Sequence, residues 1–248
     1  MRDLPFLKAD AVVGSVGQLL VKDLKPTQMA VGMDETAEKE KKYAKMDDQE
    51  LDNYLLTHMV PVVIGNGGNF YLIDHHHLSF ALWGAAGKSE KERKFTRDQE
   101  KVAVVAQVVS NWKPITGYAF WKSMNDAHWL YPFDHLGGGP LKPGQLPKHI
   151  KELKNDPYRS LAWYVRNRYG YTKSAGNAIF AEFKWAEFFR NLVMLDNKIL
   201  DDSDKDATTE NVMISKLKED KQQELIDFAI YLAKSPAAAG LPGYLGNG

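Results

Sequence analysis

Pro61-Val62-Val63-Ile64-Gly65-Asn66-Gly67-Gly68-Asn69-Phe70-Tyr71-Leu72-Ile73-Asp74-His75-His76-His77 is the stretch on which the fold turns. Two β-prone apolar runs flank an Asn-Gly-Gly turn. This is the pattern of a hairpin, because such turns need positive φ, which glycine adopts without steric cost. The second strand delivers one carboxylate and three of the chain's seven histidines to the end of a sheet. Directly after it, Leu78, Ala81, Leu82 and Ala85 recur at helical spacing, and Gly84 and Gly87 suggest where that helix stops.

The histidines therefore sit at a strand-to-helix junction. The first N–H groups of a helix have no intrahelical acceptor, so such a junction offers donors and positive dipole to a phosphate or carboxylate. Neighbouring strand residues point to opposite faces, which splits the run into His75 with His77 and Asp74 with His76. Carboxylate and imidazole together suit Mg, Mn or Zn, and such an ion polarises a phosphoryl group or supplies hydroxide.

Upstream, residues 12–24 read as a strand closed by Pro26-Thr27, and residues 33–54 as one charged helix. Acids precede bases in that helix, with Glu35 and Lys39, then Glu38 and Lys42, at i,i+4 spacing. Downstream, the β-branched residues of 101–110 favour a strand ended by Trp112 and Pro114. An aromatic helix over 116–129 runs into a Gly/Pro loop over 131–140, and 142–154 reads as loop and short basic helix. Residues 158–169, 180–194 and 211–233 carry helical patterns. The acidic segment 200–206 lacks the glycine and terminal acid of a calcium loop and reads as a solvated linker. The expected class is α+β: a small mixed sheet with helices over residues 1–112, then a mainly helical region, 113–248, packed on it.

The totals exclude several functions. Lys plus Arg equals Asp plus Glu at 32 each, so no global field holds a polyanion, and nucleic acid is disfavoured as a partner outside a local patch. The chain has no cysteine, which removes disulfides, thiolate nucleophiles and Cys-bound zinc. No run is long and apolar enough to span a bilayer, so a soluble protein is expected, cytoplasmic unless a signal peptide was removed.

Pro26-Thr27-Gln28 after a strand, the charged helix, Pro61-Val62-Val63 and Tyr71-Leu72-Ile73-Asp74-His75-His76-His77 together resemble the ParB/sulfiredoxin superfamily. Within it the chain most resembles the ParB-like nuclease family. Asp156-Pro157-Tyr158-Arg159-Ser160-Leu161-Ala162-Trp163 and Phe180-Ala181-Glu182-Phe183-Lys184-Trp185-Ala186-Glu187-Phe188-Phe189-Arg190 also look like segments of that family, so the resemblance covers most of the chain. It implies a phosphate site at the strand-to-helix turn, where relatives carry Asp-Gly-His-His-Arg; His75 stands here in place of the glycine and Leu78 in place of the arginine. Superfamily members include CTP-hydrolysing DNA clamps, an ATP-using sulfinic acid reductase, free-serine kinases and nucleases. The missing cysteine excludes the reductase chemistry, and the missing basic residue after Gln28 argues against a clamp.

The leading expectation is phosphoryl transfer, hydrolysing a phosphodiester or nucleotide. Asp74 and His76 are the catalytic candidates, with Glu35, then Glu38, as general base by resemblance to the kinases. His75, His76, His77, Ser79 and Arg159 are the candidates for holding phosphate or nucleotide, and Asp74, His75 and His77 for holding a divalent metal (Mg or Mn, or Zn). ATP or CTP is the implied nucleotide. One alternative is a nucleotide-dependent kinase of a small metabolite, with Trp112, Trp121, Tyr131 and Trp163 lining its acceptor pocket. Another is a non-catalytic nucleotide or anion sensor. Asp134-His135 is a second candidate acid/base or metal pair.

Overall fold

The computed structural model describes residues 1, 4–173, 180–193, 195 and 212–246. In chain order these form β1 (Val16–Leu20), β2 (Leu24–Pro26), β3 (Ala30–Val31), α1 (Met33–Ala44), α2 (Asp48–Thr57), β4 (Val60–Ile64), β5 (Phe70–Leu72), α3 (His76–Gly87), β6 (Ala103–Asn111), α4 (Gly117–Asp126), β7 (Lys154–Asn155), α5 (Pro157–Asn167), α6 (Ala181–Leu192) and α7 (Glu219–Lys234). Single 3-10 turns punctuate them. The class is α+β, as the residue patterns predict.

Contacts gather the chain into two compact units. The first comprises residues 1–29, 36–134 and 138–153; the second comprises 30–35, 135–137 and 154–248. This differs from the expected break at residue 112. Phe120, Met124, Leu130 and Leu146 pack with Val63 in one apolar cluster, so the aromatic helix and the loop after it belong with the sheet.

The first unit is built on a mixed five-stranded sheet in the order β1-β6-β4-β5-β2. Its centre, β4 and β6, pairs in parallel with a register shift between Val62 and Val63. Both strands are almost continuous apolar runs because both faces of the sheet are covered there. The hairpin forms as expected, with β4 and β5 antiparallel and Val63 opposite Tyr71. Its turn, Asn66–Gly68, is one 3-10 turn with Gly67 at φ 71° and Gly68 at φ 80°, a conformation that L side chains resist.

At the edge, β2 pairs in parallel with β5, Pro26 opposite Leu72. That pairing brings Thr27 beside the start of α3. The expected single helix over 33–54 is two: α1 stops at Ala44, and Asp47 opens α2 with a reciprocal capping box to Glu50. The short basic helix expected within 142–154 is instead two separate 3-10 turns, Pro143–Gln145 and Ile150–Glu152, divided by Pro147.

In the second unit β3 pairs with β7, and α5, α6 and α7 share a core of Leu161, Val165, Trp185, Phe189, Ile226 and their neighbours. Asp34 of α1 accepts the N–H groups of Ile214 at 3.0 Å and Ser215 at 2.8 Å, tying the helix start to the segment before α7. The last helix begins at Glu219 rather than at residue 211, which lies outside the described residues, as does the acidic linker 200–206. Among the described residues no helix is long and apolar enough to cross a membrane.

Candidate functional site

The turn between β5 and α3 separates the three histidines by duty. His75 is the residue just before the helix, and its backbone is left-handed at φ 62°, ψ 28°. This is the conformation for which a glycine is the ordinary choice, and a side chain there costs roughly 1–2 kcal/mol. Asp74 stabilises the turn by accepting the His75 N–H on Oδ1 at 2.6 Å. No side chain caps α3, so the helix presents its positive end at a turn carrying His75, His77 and the exposed Asp74.

His76 points the other way. It is 4% exposed, and its Nε2 accepts the Thr27 N–H at 3.2 Å, which places the ring proton on Nδ1. Thr27 Oγ1 in turn donates to the Leu72 carbonyl at 2.7 Å, closing a small buried network across β2, β5 and α3. Desolvation lowers the pKa of His76 to about 3 against the opposing pull of Asp74, so the imidazole stays neutral. His76, a catalytic and phosphate-binding candidate in the sequence, is thus placed on the buried side of the turn, with Nε2 occupied by the Thr27 N–H that follows β2.

Ser79, one turn into α3, lies on the buried face at 0% exposure, and its Oγ has no hydrogen-bond partner among the described residues. The metal set is not assembled either: among the described residues no three His, Asp or Glu side chains are arranged to hold an ion. Asp74, His75 and His77 have the donor chemistry, yet the Asp74 carboxylate folds back on the turn.

Glu35 and Arg159 come together in the second unit. Arg159 is 3% exposed; its Nη2 lies 3.6 Å from Glu35 Oε2 and also pairs with Glu182, which bridges to Arg166. Arg159 and Arg166 are seven residues apart, on one face of α5. Arg159 Nε and Nη1 have no hydrogen-bond partner among the described residues. Glu35 is thus an ion-paired carboxylate and Arg159 the centre of a buried charge network. The sequence reading missed Glu182 and Arg166; Glu182 lies within the second family-like segment, while Arg166 falls three residues beyond the first.

Asp134 and His135 part company. Asp134 Oδ1 accepts the Gly138 N–H at 2.8 Å and makes the glycine loop. His135 instead acts electrostatically on Asp156, a 1%-exposed residue that accepts the Tyr158 and Arg159 N–H groups and pairs with Arg190 at 2.8 Å. Burial raises Asp156 to about 6, with Arg190 holding it back from a larger rise.

A mixed sheet whose strand β5 feeds an uncapped helix through an Asp-His-His-His turn defines a protein of the ParB/sulfiredoxin fold class. The chain belongs to the ParB-like nuclease family: the family model described as "Putative ParB-like nuclease" matches residues 18–191. It is also similar in structure to the protein Atu1540 from Agrobacterium tumefaciens, with a TM-score of 0.69 and 31% sequence identity over 94% of this chain and 100% of that one. No curated protein matches.

Proposed function

We propose that the chain is a phosphoryl-transfer enzyme that hydrolyses a phosphodiester or nucleotide at the β5–α3 turn. The observation that carries this reading is His75, held left-handed at the uncapped N-terminus of α3. A side chain kept at a position suited to glycine indicates that the imidazole is worth its backbone strain. The helix end binds the phosphate oxygens, and His75 and His77 flank it. Asp74, already fixed by its bond to the His75 N–H, receives the proton of the attacking water as the water oxygen bonds phosphorus and the P–O bond to the leaving group breaks, the departing oxygen taking its proton from solvent. His76 holds the geometry from beneath.

The test is a thermal-shift and hydrolysis series with ATP, CTP, a short oligonucleotide, and Mg, Mn or Zn. Wild type is compared with His75→Gly, His77→Ala and Asp74→Asn. Nucleotide or oligonucleotide should raise Tm and be hydrolysed by wild type, with both effects reduced in His75→Gly and His77→Ala and turnover lost in Asp74→Asn. Stabilisation by nucleotide without turnover in wild type would favour a sensor over an enzyme. No response to any compound overturns the phosphate site.

A further inference from the structure

The hairpin turn carries Asn66-Gly67, one of two Asn-Gly pairs in the sequence; the other, Asn247-Gly248, lies outside the described residues. Asparagine is a thermolabile residue, because the backbone nitrogen that follows it can attack its carboxamide. A side chain on the following residue obstructs that attack, and glycine has none. Asn66 is thus the asparagine of the described chain at which this chemistry is least hindered.

The fold leaves both reacting groups accessible. Asn66 and Gly67 are exposed at the hairpin tip, where chemical and proteolytic change concentrates. The turn closes through the N–H groups of Gly68, to the Gly65 carbonyl at 2.9 Å, and of Asn69, to the Asn66 carbonyl at 3.5 Å, so the Gly67 nitrogen is not one of the donors that close it. The Asn66 carboxamide makes no hydrogen bond among the described residues. A Cβ at Gly67 would meet only Asn69 Nδ2, at 3.3 Å, so the approach to its nitrogen is otherwise open. Asn69 is the contrast in the same turn: its Nδ2 donates to the Asn66 carbonyl at 2.7 Å, and a phenylalanine follows it.

We propose that Asn66 is a site of self-modification, converting through a succinimide to aspartate and isoaspartate and loosening the β4–β5 hairpin as it does so. The Gly67 nitrogen gives its proton to hydroxide and bonds Asn66 Cγ, closing the ring as the Cγ–Nδ2 bond breaks and ammonia leaves with a proton from water. One water then opens the ring, at Cγ to give aspartate or at the main-chain carbonyl to give isoaspartate. Either product adds one negative charge to a chain whose charges balance. Isoaspartate also adds a methylene to the main chain at the turn. The ladder beyond is short, pairing Ile64 with Phe70, Val63 with Tyr71 and Val62 with Leu72, and hairpin register depends on the length of the turn.

The test holds the folded full chain in neutral and in mildly alkaline buffer and follows the peptide spanning β4 and β5 by mass spectrometry, with isoaspartate located by fragmentation of the Cα–Cβ bond. The mass gain of amide to acid should appear at Asn66 before Asn69 and accumulate in proportion to hydroxide. Asn66→Gln should abolish it, and Gly67→Ala should slow it several-fold. Gly67 sits at φ 71°, so if its alanine variant unsettles the turn, Asn66→Gln still decides. The modified fraction, separated by ion exchange, should melt below the fresh protein. No conversion at Asn66, faster conversion at Asn69, or the same mass gain in Asn66→Gln overturns the site. A modified fraction that melts with the fresh protein overturns the loosening of the hairpin.

Discussion

His75 and His76 are adjacent and do opposite things. His75 holds a strained backbone at the surface of the turn, so His75→Gly should stabilise the chain by about 1 kcal/mol while removing the imidazole from the proposed phosphate site. Chemical denaturation together with the nucleotide thermal shift checks this; a variant that is destabilised would mean the left-handed turn is not strained. His76 is buried neutral, with a pKa of about 3 against an ordinary 6.5. The unfolded chain therefore binds the extra proton first, and stability from this residue is complete above about pH 6.5 and lost as pH falls toward 3. Asp156 runs the other way: raised from 3.8 to about 6, it favours the fold below pH 3.8 and loses that contribution as pH rises to 6. The two slopes oppose each other between pH 4 and 6. In His76→Leu the fall in stability between pH 6.5 and 6 should disappear, and in Asp156→Asn the acid loss should steepen; unfolding curves across that range measure both. The sequence showed that the histidines would divide but not how. His76 turns inward because Thr27 arrives from β2, a strand pairing between residues far apart in the chain.

Elements were legible where the signal was local. The hairpin followed from Asn-Gly-Gly between β-branched runs, and α5 and α6 from apolar spacing. The break between α1 and α2 was legible too, in Asp47-Asp48-Gln49-Glu50, but the continuous charge pattern masked it. Asp47 Oδ1 accepts the Glu50 N–H at 2.8 Å, and Glu50 Oε2 accepts the Asp47 N–H at 2.9 Å. Asp47→Ala should cost about 1 kcal/mol in chemical denaturation, while Asp47→Ser should retain most of the cap. The network on α5 and α6 was not legible, because Glu182 reaches Arg159 and Arg166 only once the two helices pack. Removing Arg159 takes its cation from the buried carboxylate of Glu35, while Glu182 keeps its pair with Arg166. Arg159→Leu should therefore lose roughly 3–5 kcal/mol, and the double variant with Glu35→Gln should recover part of it. A loss in Arg159→Leu no larger than that of an exposed surface substitution would show that the network contributes nothing to stability.

At the scale of the molecule, the family and the charge balance pull apart. A nuclease-like family suggests a nucleic-acid partner, yet basic and acidic residues balance at 32 each. Proteins that coat duplex DNA neutralise several phosphates with Lys and Arg, and their affinity falls steeply with salt as counterions are released. The β5–α3 turn offers a helix end and two half-buried imidazoles, enough for one phosphate group and not for a tract. The expected behaviour is therefore recognition of a single phosphate or a chain end rather than of a duplex backbone. Fluorescence anisotropy with a labelled duplex, a single strand carrying a 5′-phosphate, and the same strand without it would measure this at about 50 and 200 mM salt. The slope of log affinity on log salt should be about −1 or shallower, and the terminal phosphate should account for most of the binding. A slope near −5 on the duplex would reveal a basic tract assembled by the fold and would move the substrate from nucleotide or strand end to continuous duplex.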